Sequence, residues 1–358
     1  MKRVYINGRF LLQKVTGEQR YAIEIIRELD KHVREGEKWE ILIPHGRICN
    51  SLSLSNIQIH LVGSLRGHFW EQFELPLYSR DGFLINFCDM APMFKRNQVV
   101  FIHDVAIMAH PEYYTYKFRK WHEFVYRKTV KNAKKIFTVS NFSRHELIKY
   151  FDVPTDKISV IHCACPPHLQ QDIFLDNFIE KWKIDRSKKI LLAVSSLSPN
   201  KNFKAIVEAM RYLKTDSVEL IIAGGSNTAE FQTEIDKYMN DVKYVGYVSD
   251  EELITLYKVA DCFIYPSFYE GFGVPPLEAM VNGCAVILSK MTALPEIYGE
   301  SAVYCDPYNP SDIAEKIDAV FQNEGLYQDL ICKGMDKVKE YSWKKSAKKL
   351  RCEIDKII

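Results

Sequence analysis

The stretch "YEGFGVPPLEAM" concentrates residues that could bind a phosphorylated ligand. Two carboxylates, Glu270 and Glu278, lie eight positions apart, with Gly271, Gly273 and two adjacent prolines between them. The preceding run "CFIYPS" is typical of a strand, so the loop lies at the carboxyl end of that strand. Glycine lets the backbone approach a ligand, and proline favours the first turn of a helix. The pattern predicts a strand, a ligand-binding loop and a helix of about two turns.

The amides and acids of this loop indicate what it could bind. Amides at the amino end of a helix, together with the helix dipole, attract anions such as phosphate. Carboxylates touching a phosphate would repel it, so we expect Glu270 and Glu278 to accept hydrogen bonds from hydroxyl groups instead. A phosphate flanked by two polyols describes a sugar nucleotide. The alternative is a simple strand-to-helix turn with an incidental glutamate in its first turn.

A lysine in the same half of the chain fits this chemistry. Lys201 stands in "PNKNF", at the amino end of a predicted helix. A cation there opposes the helix dipole unless an anion lies between them. Lys201 is therefore predicted to neutralise the phosphate, and the alternative is a solvated lysine in a polar turn.

The chain around these residues is predicted to alternate between strands and helices. The first half contains these strand-like runs: "RVYIN", "WEILIP", "IQIHLV", "FLINF", "VVFIHD", "KIFTVS" and "KISVIH". The second half contains these: "KILLAVSSL", "VELIIAGG", "KYVGYV", "CFIYPS", "CAVILS" and "AVYCD". Helices with capping boxes at Thr16–Gln19 and Ser249–Glu252 alternate with them. Near-continuous apolar strands separated by helices predict parallel sheets covered on both faces.

Length and composition indicate two globular domains. The chain has 358 residues, of which 47% are hydrophobic and 26% charged. The segment from Pro166 to Lys189 lacks strand alternation, so we predict domains at 1–170 and 171–342, with a last helix, 343–358, packing back on the first. The net charge of +2 gives no general attraction for nucleic acid.

Cysteine usage and hydropathy predict the compartment. Most of the nine cysteines lie in apolar runs and are expected to be reduced and buried, without a metal site. The opening "MKRVYINGRF" has no apolar segment of a signal peptide, and no apolar run approaches the ~18 residues of a membrane span. We therefore expect a cytosolic protein.

The loop with its two acids resembles a known family. "EGFGVPPLE" is similar to the Glu-(seven residues)-Glu motif of retaining GT-B glycosyltransferases, specifically glycosyltransferase family 4. The segments "VSSLSPNKNF", "IAGG", "VGYVSDEEL" and "TALPEIYGESAVYCDPYNPSDIAEKI" resemble the family in order and spacing, as do the weaker signals "TGEQRYA", "IHDVAIMAHPE" and "TVSNFSRHEL". The resemblance implies the GT-B fold, in which two doubly wound, Rossmann-like domains face each other across a cleft.

The resemblance also implies roles for individual residues. Glu270 would contact the donor sugar, Glu278 the ribose hydroxyls, and Lys201 the diphosphate. The donor would also contact these residues of the loop: Gly271, Phe272, Gly273 and Val274. In the first domain, Gly17 would let a loop approach the diphosphate, and His103 would lie near the donor hexose, although a structural role for His103 stays open.

One position departs from the family pattern. Many members have an arginine where this chain has Ser195 and Ser196, so Ser196 enters the donor site without the usual charge. Arg9 and Lys14 of the first domain are candidates to replace that charge.

The activity that the resemblance implies is retaining transfer of a hexosyl unit from a nucleotide diphosphate sugar, without a metal cofactor. The acceptor would be a glycan or a polyprenyl-linked glycan. "FWEQFELPLYSR" and "HDVAIMAHPE" are similar to segments of mannosyltransferases of bacterial surface polysaccharide and lipopolysaccharide synthesis. Two alternatives stay open, namely a non-hydrolysing sugar-nucleotide epimerase and a non-catalytic GT-B scaffold subunit.

A basic, aromatic segment follows the predicted strand "VVFIHD". Residues Tyr113–Lys135 carry eight Lys or Arg and one Glu. Helical spacing places these basic residues on one face: Lys117, Lys120, Arg127, Lys131 and Lys134. Phe118, Trp121 and Val125 are predicted to line another face. The segment fits either an interfacial helix on anionic lipid at the inner face of the membrane or an ordinary amphipathic helix with solvated lysines.

Overall fold

The computed structural model describes residues 2–225 and 242–358. The chain divides into two compact units. Met1–Cys163 and Ser342–Ile358 form the first unit, and Ala164–Tyr341 form the second. Each unit has helices around one parallel sheet, which confirms the predicted α/β class.

The sheet of the first unit is parallel throughout. Its strands are β1 (Lys2–Asn7), β2 (Glu37–Ile43), β3 (Gln58–Leu61), β4 (Phe83–Asn86), β5 (Gln98–Phe101), β6 (Lys135–Thr138) and β7 (Ile158–Val160). They lie in the order β3-β2-β1-β4-β5-β6-β7, so the direction of winding reverses between β1 and β4. All seven correspond to the predicted apolar runs, because strands covered on both faces alternate little.

The sheet of the second unit repeats this arrangement. Its described strands are β8 (Lys189–Val194), β9 (Val218–Ala223), β10 (Val242–Gly246), β11 (Cys262–Tyr265), β12 (Ala285–Ser289) and β13 (Val303–Cys305). The order is β10-β9-β8-β11-β12-β13, again all parallel. Here the winding reverses between β8 and β11. Ligands of open parallel sheets bind beyond the carboxyl ends of strands at such a reversal.

Helices connect the strands of each sheet. In the first unit they are α1 (Gly17–Asp30), α2 (Gly67–Phe69), α3 (Leu75–Tyr78), α4 (Ala106–Ala109), α5 (Tyr116–Asn132) and α6 (Asn141–Phe151), and a π-helical turn (Trp70–Glu74) joins α2 to α3. The described helices that follow are α7 (Asp176–Trp182), α8 (Phe203–Ala209), α9 (Asp250–Val259), α10 (Pro275–Val281), α11 (Leu294–Tyr298), α12 (Pro310–Gln322), α13 (Glu324–Glu340) and α14 (Trp343–Asp355).

Local sequence signals explain where two of these helices begin. At α1 the amide of Thr16 donates to Gln19 Oε1 at 3.0 Å, and at α9 the amide of Ser249 donates to Glu252 Oε2 at 2.8 Å. Both capping boxes are complete, as predicted. Each satisfies backbone donors that the first turn of a helix leaves without a partner.

The boundary between the two units in the sequence follows Cys163, whereas the sequence prediction placed it after residue 170. A 3-10 turn, Pro167–Gln170, packs against α9 of the second unit and carries the buried Leu169. The amide of Leu175 donates to Thr255 Oγ1 at 3.1 Å. The proline-rich segment therefore belongs to the second unit, because its apolar side chain and its backbone both find partners there.

The last helix, α14, returns to the first unit and packs against α1. The ring centroids of Trp343 and Tyr21 lie 5.3 Å apart, and Ser346 Oγ donates to the carbonyl of His162 at 2.7 Å. Across residues 2–225 and 242–358, no helix is both long enough and apolar enough to cross a membrane.

Candidate active site

The candidate site of the second unit lies where its sheet reverses direction. A 3-10 turn, Pro199–Lys201, follows β8, and the loop that carries Glu270 follows β11. β8 and β11 are hydrogen-bonded neighbours, so both loops leave the same edge of the sheet. The reversal therefore brings Lys201 and Glu270 together although they are far apart in the sequence.

Lys201 makes two polar contacts at this edge. Its Nζ lies 2.5 Å from Glu270 Oε1 and 3.0 Å from the hydroxyl of Tyr265, the last residue of β11. The side chains of Lys201 and Glu270 are 16% and 10% exposed, so water only partly screens the pair. Burial alone would lower the pKa of Lys201, but the charge of Glu270 and these hydrogen bonds raise it above its ordinary value. Lys201 is therefore a fixed cation.

Tyr265 has a polar tip at the end of a buried strand. Burial, and then the charge of Glu270, raises the pKa of Tyr265 to about 12. The phenol therefore stays neutral near pH 7. No role was predicted for this residue from the sequence, although a tyrosine at the carboxyl end of a core strand was a signal for one.

Two further contacts hold the loop after β8 against the loop after β11. The amide of Phe268 donates to the carbonyl of Asn200 at 2.8 Å. Asn202 adopts a left-handed conformation (φ +58°), and its Nδ2 donates to the carbonyls of Pro266 and Pro307 at 3.2 and 2.7 Å. Asparagine tolerates this conformation better than most residues. The position of Lys201 is thus set by backbone contacts as well as by its own side chain.

The Glu270 loop is shaped by a glycine that the close packing requires. Gly273 has φ +78°, and a Cβ added there would lie 2.7 Å from Leu294 Cδ2. Its carbonyl accepts a hydrogen bond from the hydroxyl of the buried Tyr298. The amide of Glu270 donates to Thr292 Oγ1 at 3.1 Å. These contacts hold the backbone of residues 271–274 in place between Glu270 and the first turn of α10.

α10 begins with two prolines and ends before Gly283, as the sequence predicted. Its Glu278 is buried, and one oxygen, Oε2, accepts a hydrogen bond from the hydroxyl of Tyr257 at 2.9 Å. Burial, and then the charge of Glu278, raises the pKa of Tyr257 well above its ordinary value. Glu278 therefore already accepts a hydroxyl donor, the kind of partner predicted for it, from within the protein.

Ser196 lies beyond β8 on an exposed part of the same loop, and the neighbouring Ser195 donates its amide to Ala223 at 3.1 Å. Of the two residues proposed to replace the missing arginine, Arg9 lies in the first unit, where its Nε is 3.3 Å from Glu71 Oε1. Lys14 is exposed in that unit.

His103 lies in the first unit, just beyond β5, and is almost fully buried. Its Nε2 is 2.8 Å from the carbonyl of Phe87, and its amide donates to Asp89 Oδ1 at 2.8 Å. The ring of Tyr21 packs edge-on at 4.8 Å. A carbonyl can only accept, so Nε2 must carry the proton, and in the neutral ring Nδ1 is then the acceptor.

Gly17 is the first residue of α1, and a Cβ added to it would meet no atom within 4 Å. The next residue, Glu18, accepts a hydrogen bond at its carbonyl from Cys88 Sγ at 3.7 Å. The amino end of α1 therefore lies next to the loop that carries Asp89. One turn further along α1, the ring of Tyr21 contacts the ring of His103.

An acidic group that sequence reasoning missed surrounds this end of α1. Burial, and then the charge of Asp104, raises the pKa of Glu18 to about 7. Burial, and then the charge of Glu18, raises the pKa of Asp89 well above its ordinary value. In the sequence, this cluster could have been noticed from the acids that directly follow strands β4 and β5.

Among residues 2–225 and 242–358, no group of three or more His, Cys, Asp or Glu side chains is arranged to hold a metal ion.

Profiles of known families match segments in both halves of the chain. The profile of the glycosyl transferases group 1 matches residues 175–337, and that of Glycosyltransferase Family 4 matches residues 86–168. The chain belongs to the GT-B glycosyltransferases of family 4. The second profile spans β4 to the 3-10 turn before α7, and the first spans the Lys201–Glu270 pair of this glycosyltransferase.

One relative is consistent with this assignment. The glycosyltransferase is 31% identical over 258 residues to O-antigen chain mannosyltransferase B of Escherichia coli. That alignment spans 68% of this chain and 66% of the relative, just under two thirds of the relative's length.

Two solved structures show the same fold. A sucrose-phosphate synthase from Thermosynechococcus elongatus has a TM-score of 0.78 and 14% identity, over 100% of this chain and 99% of that one. HepE from Anabaena, in complex with UDP and glucose, has a TM-score of 0.72 and 14% identity, over 99% of each chain. At this identity the likeness concerns the fold alone.

Proposed function

We propose that this glycosyltransferase moves a hexosyl unit from a nucleotide diphosphate sugar to a hydroxyl group of a glycan or polyprenyl-linked glycan, with retention of anomeric configuration. The proposed hexose is mannose and the proposed setting is bacterial surface polysaccharide synthesis. The name of the E. coli relative supports both. The UDP and glucose bound to HepE support a nucleotide sugar donor.

The observation that carries the proposal is the contact of Lys201 with Glu270 at the reversal of the second sheet. A buried ammonium is costly without an anion beside it. In the free protein Glu270 supplies that anion. A donor diphosphate brings a second one, and Lys201 can then stabilise the charge that develops on the leaving diphosphate. Preorganised charge of this kind usually contributes more to catalysis than any other single effect.

The proposed reaction breaks the bond between the anomeric carbon and the diphosphate oxygen and forms one to the acceptor oxygen on the same face. The acceptor proton passes to an oxygen of the departing diphosphate, so no protein base is required. Glu270, relieved of part of its attraction to Lys201, orients the donor sugar and stabilises positive charge at its anomeric carbon. Glu278 binds the ribose hydroxyls. The amides of residues 271–274 and Ser196 complete the proposed donor site.

The first unit contributes His103 and Gly17 to the proposal. The bond from Nε2 to Phe87 fixes the ring of His103 and leaves Nδ1 as an acceptor for a donor hydroxyl. Gly17 has space around its Cα into which a phosphate could come. We further propose a cytoplasmic location. All nine cysteines are free, and Cys163, Cys165, Cys262, Cys284 and Cys305 are buried, as expected of a protein from a reducing compartment.

The test begins with a thermal-shift screen of nucleotide sugars. A ligand at 100 times its Kd adds about 2.7 kcal/mol of stability. The stabilising donor is then incubated with and without glycan acceptors, and the anomeric configuration of the product is determined. Donor-dependent, retained transfer is expected. Conversion of the donor to an epimer without acceptor would replace the proposal with an epimerase, and binding without turnover on every acceptor would replace it with a scaffold role.

A further inference from the structure

Two neighbouring loops of the first unit are joined at His103. The loop that follows β4 carries Phe87 and Asp89, and the loop that follows β5 carries His103. The carbonyl of Phe87 accepts from Nε2 of the His103 ring, and Asp89 Oδ1 accepts from the amide of His103, both at 2.8 Å. The loop after β4 therefore holds both the ring and the backbone of this histidine.

Asp89 is itself fixed from a third element. Its second carboxylate oxygen, Oδ2, accepts a hydrogen bond from the hydroxyl of Tyr126 on α5 at 3.0 Å. Tyr126 is almost fully buried and belongs to the apolar core of the unit. The carboxylate of Asp89 thus has one oxygen for each neighbour, the tyrosine of α5 on one side and the amide of His103 on the other.

The backbone of Asp89 adopts an uncommon conformation at this point. Its φ is +46°, in the left-handed region that residues other than glycine and a few polar residues rarely occupy. Such a conformation persists only where the surrounding contacts maintain it, and it occurs preferentially at functional sites. The hydrogen bonds to Tyr126 and His103 are the contacts that maintain it here.

We propose that Asp89 is a positioning residue for His103. Its carboxylate ties the loop after β4 to the amide of His103, and this keeps the carbonyl of Phe87 within reach of Nε2. The ring then stays in the tautomer whose unprotonated Nδ1 can accept a hydroxyl group of the donor sugar. The role of His103 at that sugar rests on the proposed function, whereas the effect of Asp89 on the ring does not.

The state of the ring can be measured without turnover. In the full chain with isotope-labelled histidine, NMR distinguishes the two neutral tautomers, and the signal lost in His103→Ala belongs to His103. Asp89→Gly removes the carboxylate, and glycine tolerates the left-handed backbone. We expect the Nε2-protonated tautomer in the unchanged protein and a mixture of both tautomers in Asp89→Gly. Tyr126→Phe leaves Oδ2 without its hydroxyl partner and should cause a smaller change of the same kind.

Two controls separate the position of the ring from charge and from stability. Asp89→Asn can accept from the amide of His103 through Oδ1 and donate to the oxygen of Tyr126 through Nδ2, so it should keep the signal of the unchanged protein. Asp30→Ala removes another buried carboxylate of the first unit, one that accepts from the amides of residues 55–57. It should lower stability without altering the signal of His103.

Transfer kinetics test the consequence for the proposed function. Asp89→Gly should lower kcat by about 10- to 100-fold, because a shift of about 1 Å in a positioned group can cost 10²-fold. Adding Asp89→Gly to His103→Ala should lower kcat no further, since Asp89 acts through the ring. Asp89→Asn should keep most of the activity, and Asp30→Ala should keep all of it.

Three results would overturn the proposal. One is an unchanged His103 signal in Asp89→Gly and Tyr126→Phe proteins that circular dichroism shows to be folded. Another is a signal altered as much in Asp89→Asn as in Asp89→Gly, and the third is losses in kcat that multiply in the double variant. Absence of transfer with every donor would instead contradict the proposed function, and the signal of His103 would still show whether Asp89 holds the ring. A change confined to Asp89→Gly and Tyr126→Phe supports the proposal.

Discussion

Lys201 Nζ lies 2.5 Å from Glu270 Oε1, across two loops that leave adjacent strands β8 and β11. In the free protein this contact gives each buried charge a partner. A bound diphosphate would compete for the same ammonium. Glu270 therefore has two partners in the proposed cycle, Lys201 before donor binding and the donor sugar after it, whereas Glu278 keeps the Tyr257 hydroxyl close by throughout.

Isosteric substitution of the two glutamates should separate their roles. Glu278→Gln removes a charge that is proposed to bind the ribose equally in the ground and transition states, so it should mainly raise the donor KM. Glu270→Gln removes charge near the anomeric carbon, so kcat should fall by about 10²-fold or more. Steady-state kinetics with saturating acceptor measures both. Unchanged kcat in a folded Glu270→Gln protein would show that Glu270 is only a loop residue.

Glu270→Gln should also change stability in a ligand-dependent way. Without the carboxylate, Lys201 is a buried ammonium whose remaining partner is neutral, so we expect a loss of about 1–3 kcal/mol in the free energy of unfolding. A nucleoside diphosphate supplies the missing anion and should restore part of the lost free energy of unfolding. Urea unfolding with and without UDP or GDP measures the difference. An equal loss in both conditions would mean that the diphosphate does not reach Lys201.

Two buried tyrosines offer a matched pair of substitutions. Tyr265→Phe removes the hydroxyl 3.0 Å from Lys201, and Tyr257→Phe removes the hydroxyl 2.9 Å from Glu278. Each should cost about 1 kcal/mol of stability. Tyr265→Phe should lower kcat by roughly tenfold, because Lys201 loses a positioning contact, while Tyr257→Phe should mainly raise the donor KM. The same kinetic change in both variants would indicate a general packing effect.

Local signals in the sequence were sufficient for most of the fold. The capping pair of Thr16 and Gln19 lies three residues apart, and its geometry depends on a single helical turn. The apolar runs of the strands likewise report burial on both faces. The helix that begins at Pro275 could be placed to within a residue because prolines and Gly283 mark its two ends.

Contacts between distant segments could not be predicted in this way. The pairing of Lys201 with Glu270 depends on which strands are neighbours, and so does the role of Tyr265. Glu18, Asp89 and Asp104 come from three separate segments of the chain. None of these segments shows by its own sequence that its acid lies close to the other two.

Activity should not require a divalent metal. Lys201 and the backbone amides of residues 271–274 are proposed to carry the diphosphate charge in place of a cation. Transferase activity is measured after dialysis against excess chelator and again after addition of manganese or magnesium. We expect the same rate in all three conditions. Loss of activity on chelation that either metal restores would contradict this, and Lys201 would then need a different role.

Glu18 should make the stability of the protein depend on pH. Its pKa is raised from an ordinary value of 4.5 to about 7, first by burial and then by the charge of Asp104, with Arg9 opposing. A raised folded-state pKa contributes stability below pH 4.5 that is lost as pH rises through about 7. Glu18→Gln stays neutral, so it should stabilise the protein by about 1–3 kcal/mol near pH 8 and by much less near pH 5. Urea unfolding at both pH values measures this, with the exposed Glu35→Gln as the control that should show no such difference. A gain of the same size at both pH values would point to packing around residue 18 and not to titration of its carboxyl group.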